Sequence, residues 1–229
     1  MIPWILLDTA KVPDGEELRL LQRGAEFAIR LSNNELMNSR VHGSEEALAE
    51  IAIGKIGEQT RPRILIGGLG MGFTLRAALR VIGPEARVVV AELVPAVVAW
   101  NRGWLASVSN HSLEDSRVSI REEDVASLIK SERSAYDAIL LDVDNGPEAL
   151  TRKANEGLYN LSGLGAAYAA LRPRSVLAAW SAERDGNFTQ RLRKTGFEVN
   201  ASVAATISAG APNVVPNAEL RSNLCRTTI

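Results

Sequence analysis

The sequence has little of what marks secreted, membrane-bound or nucleic-acid-binding proteins. Cys225 is the only cysteine among 229 residues, which excludes an intrachain disulfide framework and a cysteine-rich zinc site. The apolar run at residues 2–7 ends at Asp8, far short of the ~20 residues of a membrane span, and no basic leader with a cleavage site precedes it. The formal net charge of −1 gives no general attraction to nucleic acid or to an anionic membrane. We therefore expect a cytoplasmic protein with neither a nucleic-acid nor a membrane partner, and no metal.

Histidine and aromatic residues are also scarce, with two histidines and 5% aromatic residues. A lone histidine such as His42, between a valine and a glycine, is more often structural than catalytic. Trp100 and Trp104 lie in an apolar pattern of helical period, so both are predicted to belong to the core.

From residue 63 onward, apolar runs of strand length alternate with segments of helical period. The predicted strands are 63–67, 87–92, 117–121, 136–142, 175–181 and 197–203. The predicted helices are 74–82, 95–106, 124–131, 160–171 and 186–195. Repeated strand–helix units favour an α/β fold with a mostly parallel, twisted sheet and helices on both faces. A closing strand is expected in the tail, where Val214 and Val215 are the candidate.

The first sixty residues have a different pattern. Apolar and polar residues alternate in two runs between residues 18 and 31, which predicts a β-hairpin. Ser44, followed by two glutamates, is a typical start for a helix, because its hydroxyl can cap the first turn and acids there suit the helix dipole. We therefore divide the chain into a small N-terminal β-hairpin region with one helix, residues 1–60, and a nucleotide-binding domain, residues 61–229.

A glycine-rich turn is the feature around which the second part is organised. Residues 67–72 read GGLGMG and lie between a predicted strand and a predicted helix. Glycine lets the backbone approach a ligand closely, and amides at the following helix N-terminus face that ligand. A tight turn without a ligand is the plainer alternative, but four glycines in six residues exceed what such a turn needs. We therefore assign ligand binding to four residues: Gly67, Gly68, Gly70 and Gly72.

The spacing of this turn indicates which ligand it binds. A dinucleotide fingerprint starting at Gly68 needs glycine or alanine at position 73, where the chain has Phe73, and no phosphate-loop lysine follows. Glu92 ends the next predicted strand, where its carboxylate can accept both hydroxyls of a ribose. The pattern suits an adenosyl ligand better than a pyrophosphate. Asp124, at the end of the third strand, either bonds an adenine amino group or caps the next helix, and the two roles are compatible.

A second informative stretch is residues 136–148, a buried strand that ends in acids and a turn. One interpretation is an Asp-Asn-Gly-Pro turn whose side chains bond their own backbone. The other is functional: Asp142 points into the cleft beside the ligand, where it orients a nucleophile or accepts its proton. Asp144 would then hold a cation.

Taken together, these residues resemble the spermidine synthase family. The similarity rests on ILIGGLGMG at residues 64–72, on Glu92 and Asp124, and on LLD at residues 140–142 with GPE at 146–148. In the N-terminal region, Gln22 followed by Glu26 and Phe27 is similar to a strand pair of the same family.

The resemblance implies a fold, a ligand and a set of roles. The fold would be the Rossmann-like class I methyltransferase fold, and the co-substrate decarboxylated S-adenosylmethionine. Glu92 would bind the ribose, Asp124 the adenine, and Gln22 would also contact this ligand. Asp142 would be the catalytic aspartate. Asp144 and Asn145 would bind the acceptor, an amine such as putrescine. Because proteins of this family commonly form dimers or tetramers, the resemblance also implies a homodimer.

Two alternatives remain open. One is a methyltransferase on the same fold that uses intact S-adenosylmethionine on an unknown acceptor. The other is a non-catalytic nucleotide-binding homologue, because a fold alone does not establish a function. The acid content of the acceptor pocket discriminates between aminopropyl transfer and methyl transfer, since Asp142 and Asp144 favour a cationic amine.

Overall fold

The chain forms two β-sheets joined through one helix. A computed structural model describes residues 2–13, 15–143, 157–179, 186–203 and 214–219. The first sheet is built by the N-terminal region and the second by the predicted nucleotide-binding domain. Within the described residues, no helix is both long and apolar enough to cross a membrane.

The N-terminal sheet has four antiparallel strands in the order of the chain. They are β1 (Ile5–Lys11), β2 (Glu17–Arg23), β3 (Glu26–Leu31) and β4 (Asn34–Asn38). The predicted hairpin is confirmed as β2 and β3, which pair from Leu18 opposite Leu31 to Arg23 opposite Glu26. Strand β4 was not predicted from the sequence, because its asparagines and glutamate are depleted in strands. Helix α1 (Gly43–Ile56) follows this sheet, where a helix starting at Ser44 was expected.

The second sheet has seven strands, of which five are parallel. They are β5 (Arg63–Gly67), β6 (Arg87–Ala91), β7 (Val118–Arg121), β8 (Tyr136–Leu141), β9 (Leu171–Ala179), β10 (Glu198–Val203) and β11 (Val214–Glu219). The spatial order is β10-β11-β9-β8-β5-β6-β7, with β9 to β7 parallel and β11 antiparallel to both of its neighbours. The closing strand expected near Val214 is therefore present, inserted between β9 and β10.

Helices cover both faces of this sheet, as predicted. They are α2 (Phe73–Val81), α3 (Pro95–Arg102), α4 (Val125–Ser131), α5 (Leu161–Ala170) and α6 (Gly186–Lys194). One core cluster packs α1, α2 and α3 against the sheet, and a second packs α4, α5 and α6 against the opposite face. The α/β class and the mostly parallel sheet are thus confirmed.

Two boundaries differ by four residues from the sequence predictions. Helix α3 ends at Arg102, followed by Gly103, whereas the periodicity suggested a helix to residue 106. Trp104 consequently lies beyond the helix and is 47% exposed, so its assignment to the core was wrong, while Trp100 is fully buried. Strand β9 begins four residues earlier than expected, at Leu171.

The N-terminal region does not have a core of its own. Leu20 and Ile29 from its sheet belong to the same hydrophobic cluster as Leu48 of α1 and Ile64 and Ile66 of β5. The apolar face of the small sheet therefore packs on the larger domain. This packing brings the N-terminal region beside the glycine-rich turn, where both line one cavity.

Candidate active site

The site lies where the direction of the sheet connections reverses. From β5 the chain continues to β6 on one side, and it later returns to the other side of β5 as β8. Open α/β sheets bind ligands at such a point, outside the carboxyl ends of the strands. The loops that follow β5, β6, β7 and β8 all begin there.

The glycine turn has the backbone conformation that its sequence predicts. Gly68, Gly70 and Gly72 have φ angles of +87°, +51° and +79°, a region that other residues rarely adopt. A Cβ on Gly68 would lie 2.3 Å from the carbonyl oxygen of Asp142. The turn after β5 is thus in direct contact with the backbone that follows β8.

The four glycines divide into two kinds. Gly68 and Gly70 line a cavity, whereas Gly67 and Gly72 are absent from its lining. A Cβ on Gly67 would approach Val125 of α4 to 2.9 Å, and one on Gly72 would approach the Ser109 Cβ to 2.7 Å. Gly67 and Gly72 therefore permit close packing around the turn, and ligand contact remains the prediction for Gly68 and Gly70.

Asn101 of α3 holds this turn in place by a hydrogen bond to the backbone of the turn. It is 1% exposed, and its Nδ2 donates hydrogen bonds to the carbonyl oxygens of Gly70 at 2.8 Å and Val97 at 2.9 Å. The sequence pattern did not single out Asn101, since its importance depends on the meeting of α3 and the turn.

The cavity beside the turn measures about 200 Å³ and is strongly acidic. Its acidic lining residues are Glu45, Glu92, Glu123, Asp124 and Asp142. Its apolar wall from the N-terminal region consists of Val12, Leu18, Ile29, Leu31, Leu36 and Met37. No lysine, arginine or histidine is among the described residues that line it. Five carboxylates in one concave space create a negative potential that favours a cationic ligand.

Glu92 is held in place by backbone amides. It is 8% exposed, and its two carboxylate oxygens accept hydrogen bonds from Leu69 N at 2.9 Å and Val94 N at 2.8 Å. These two bonds fix the orientation of the Glu92 carboxylate at the cavity. The geometry is compatible with the ribose-binding role predicted for Glu92.

Asp124 caps helix α4 and also lines the cavity. Its Oδ1 accepts a hydrogen bond from Ala126 N at 3.0 Å, and its Oδ2 accepts one from Ser127 Oγ at 3.3 Å. The capping role considered from the sequence is therefore confirmed. The adenine contact stays a prediction, for which the position of Asp124 on the cavity wall is favourable.

Asp142 follows β8, lines the cavity and has an unusually high pKa for an aspartate. Thr74, in the first turn of α2 and 2% exposed, donates a hydrogen bond from its Oγ1 to Asp142 Oδ2 at 2.5 Å. Burial raises the pKa of Asp142 to about 7, the nearby Glu45 carboxylate adds to the rise, and the Thr74 hydrogen bond opposes it. A carboxyl group with a pKa near 7 can accept and release a proton at neutral pH.

Glu45 is the site residue that the sequence reasoning missed. It was interpreted only as a favourable acid in the first turn of α1, yet its side chain lines the cavity and acts electrostatically on Asp142. Because α1 and β8 are about a hundred residues apart in sequence, only the tertiary packing brings these two carboxylates together. An acid at the start of a helix that precedes the glycine turn was the available signal.

One other predicted site residue, Gln22, is not brought to the cavity. Gln22 lies on β2, its Nε2 donates to the Gly24 carbonyl at 3.0 Å, and it does not line the cavity, so its assignment to ligand binding is not supported by this geometry. Asp144 and Asn145 lie outside the described residues. No group of three or more metal-ligating side chains occurs among the residues that the structure describes.

Comparison with known proteins finds solved structures of similar fold but no curated protein of significantly similar sequence. No model of a protein family matches this sequence, and no curated protein matches it significantly. A spermidine synthase in complex with the transition-state analogue AdoDATO has a TM-score of 0.72 and 17% identity over 93% of this chain and 72% of its own. The spermidine synthase from Thermotoga maritima has a TM-score of 0.73 and 16% identity over the same shares. A probable spermidine synthase from Corynebacterium glutamicum has a TM-score of 0.68 and 15% identity over 94% of this chain and 79% of its own.

These likenesses show that the chain has the fold of spermidine synthases, which is the class I methyltransferase fold expected from the sequence. At 15–17% identity they show the fold alone.

Proposed function

We propose that this protein is a transferase that moves an aminopropyl group from decarboxylated S-adenosylmethionine to an amine such as putrescine. The observation that carries the proposal is the charge of the cavity: five carboxylates and, among the described lining residues, no basic side chain. Both substrates of this reaction are cations, a sulfonium compound and an ammonium compound. Such a cavity attracts both.

The donor would bind along the carboxyl ends of β5, β6 and β7. Gly68 and Gly70 allow its adenosyl part to approach the backbone, and Glu92 would accept the ribose hydroxyls. Asp124 would accept a hydrogen bond from the adenine amino group while its backbone-directed bonds keep it capping α4. These contacts would hold the donor with its sulfonium near Asp142.

Asp142 would prepare the acceptor for attack. A primary amine is protonated at neutral pH, so its ammonium group must first give a proton to the Asp142 carboxylate. The freed nitrogen lone pair then attacks the carbon next to the sulfonium. A C–N bond forms, the C–S bond breaks, and its electron pair returns to sulfur to give neutral methylthioadenosine. The proton on Asp142 leaves to solvent, and positioning of the two reactants supplies much of the remaining acceleration.

A methyltransferase using intact S-adenosylmethionine is the competing function on this fold. Its donor and its product carry a methionine carboxylate, which would enter a cavity of like charge. Two like charges 4 Å apart repel by about 4 kcal/mol at the effective dielectric constant of a protein surface. The described lining offers no lysine or arginine to offset this repulsion, so the decarboxylated donor fits better.

Calorimetric titration with methylthioadenosine, S-adenosylmethionine and S-adenosylhomocysteine tests this directly. We expect methylthioadenosine to bind more tightly than the two carboxylate-bearing ligands. Transfer is then assayed with decarboxylated S-adenosylmethionine and putrescine. A preference for S-adenosylhomocysteine would make the protein a methyltransferase, and binding of none of the three would contradict the nucleotide site itself.

The Asp142→Ala variant tests the catalytic assignment. We expect transfer to fall by at least about a hundredfold, the usual contribution of a general base, while the affinity for methylthioadenosine stays within a few-fold. The matched control is Glu50→Gln, an exposed acid of α1 that is absent from the cavity lining. If Asp142→Ala loses nucleotide affinity to the same extent as transfer, its role is structural or donor-binding.

The assembly and compartment are proposed on the sequence resemblance. We propose a homodimer in the cytoplasm that uses a small-molecule amine. Light scattering of the purified protein would show a mass near twice the 24.7 kDa of one chain.

A further inference from the structure

Resting on the proposed function, we infer that Glu45 is a second acceptor-binding residue, which holds the ammonium group of the amine together with Asp142. The inference depends on the observation that both carboxylates line the same cavity. It assigns the N-terminal region, through α1, a direct part in choosing the acceptor.

The Glu45 side chain is fixed on one side and open on the other. Ser44, which is 5% exposed, donates a hydrogen bond from its Oγ to Glu45 Oε2 at 2.6 Å. No described residue donates to the other oxygen, Oε1, and no described cation pairs with this carboxylate. One oxygen of this cavity-lining residue is thus anchored, while the other has no donor among the described residues.

Asp142 has the same arrangement. Thr74 donates to Oδ2, and no described residue donates to Oδ1. Both carboxylates line the same cavity, where no described lysine, arginine or histidine compensates them. Burial raises the pKa of Asp142, and the negative charge of Glu45 adds to the rise. An ammonium group, with its three donors, can bond both open oxygens and neutralise the repulsion.

Glu46, the residue after Glu45 on α1, has different surroundings. Its carboxylate lies 2.5 Å from Arg76 Nη2 and 3.4 Å from His42 Nδ1. Its charge is therefore compensated within the protein, and it does not line the cavity. Two neighbouring glutamates on one helix turn thus have different surroundings, which makes Glu46 the matched control.

The surroundings of the pair strengthen its effect on a cation. The cavity wall contributed by the N-terminal sheet is aliphatic, including Leu36 and Met37. Charge-assisted hydrogen bonds are stronger in such a region than in water. The same wall can contact the methylene groups of an alkyl amine, so the pair and the wall together suit an aliphatic primary amine.

The test compares Glu45→Gln with Glu46→Gln. In the transfer assay with putrescine, we expect Glu45→Gln to raise the KM for the amine at least about tenfold, since a charge-assisted hydrogen bond is lost, with a much smaller change in kcat. The affinity for methylthioadenosine should stay within twofold. The pH midpoint of kcat/KM should move downward, because the charge that raises the pKa of Asp142 is gone. Glu46→Gln should leave the amine KM and the midpoint unchanged.

A binding measurement separates this inference from the proposed reaction. The wild-type protein, saturated with methylthioadenosine, is titrated with butylamine and with the neutral analogue 1-butanol. A preference for butylamine that Glu45→Gln abolishes supports the inference even if no aminopropyl transfer is found. The inference is overturned if wild-type protein shows no such preference, if the two glutamine variants behave alike, or if Glu45→Gln weakens the donor instead of the amine.

Discussion

Replacing Gly68 by alanine tests the contact that joins the two halves of the site. Gly68 belongs to the turn after β5, and the atom it approaches is the backbone carbonyl oxygen of Asp142 after β8. The substitution adds a single methyl group.

Two costs add up in Gly68→Ala. The backbone at φ +87° is left-handed, which costs a residue with a Cβ roughly 1–2 kcal/mol. The new Cβ would lie 2.3 Å from the carbonyl oxygen and 3.1 Å from the carbonyl carbon of Asp142. Because both are backbone atoms, relief requires the end of β8 to move, and overpacking of this kind costs about 1–3 kcal/mol. We expect a loss of about 2–5 kcal/mol in the free energy of unfolding.

Urea denaturation and calorimetric titration with methylthioadenosine measure the two consequences. Gly83→Ala is the control, since Gly83 is not in the left-handed region and nothing lies within 4 Å of its added Cβ. We expect the control to be within about 0.5 kcal/mol of the wild type. Where Gly68→Ala still folds, methylthioadenosine binding and transfer should both fall, since the displaced carbonyl belongs to Asp142. If Gly68→Ala matches Gly83→Ala in stability and in binding, the close approach of the two strand ends is refuted.

Two further predictions concern residues around the same turn. Burial and the Glu45 charge raise the pKa of Asp142 from 3.8 to about 7, so kcat/KM should rise with pH to a plateau above about 7. Because the folded protein binds this proton more tightly than the unfolded chain, Asp142 stabilises the fold most below pH 4 and that contribution is lost as pH rises to about 7. Unfolding free energies should therefore fall less steeply between pH 4 and 7 in Asp142→Asn, and identical slopes would contradict the raised pKa. Asn101→Ala removes the buried donor to the Gly70 carbonyl, so it should destabilise the protein by about 1–3 kcal/mol. It should also weaken methylthioadenosine binding. Full affinity in this variant would show that the turn holds its shape without Asn101.

Much of the fold follows from local sequence patterns. Alternating apolar runs and helical periods predicted all the parallel strands and the helices that cover them, because strand and helix periods are visible within a few residues. The glycine turn was also predictable, since its left-handed angles require glycine at Gly68, Gly70 and Gly72. Errors occurred where local patterns were ambiguous, as at Trp104, which the pattern assigned to a helix that ends at Arg102.

The candidate site was predicted only in part, for a physical reason. Glu92, Asp124 and Asp142 could be placed together from the sequence, because the carboxyl ends of parallel strands meet at one edge of the sheet. Which glycines contact the cavity, which acid faces Asp142 and what orients each of them depend on packing between distant segments. Glu45 and Glu46 are neighbours of the same type, and local sequence rules treat them alike. The tertiary structure alone decided that Arg76 neutralises one of them and that the other lines the same acidic cavity as Asp142.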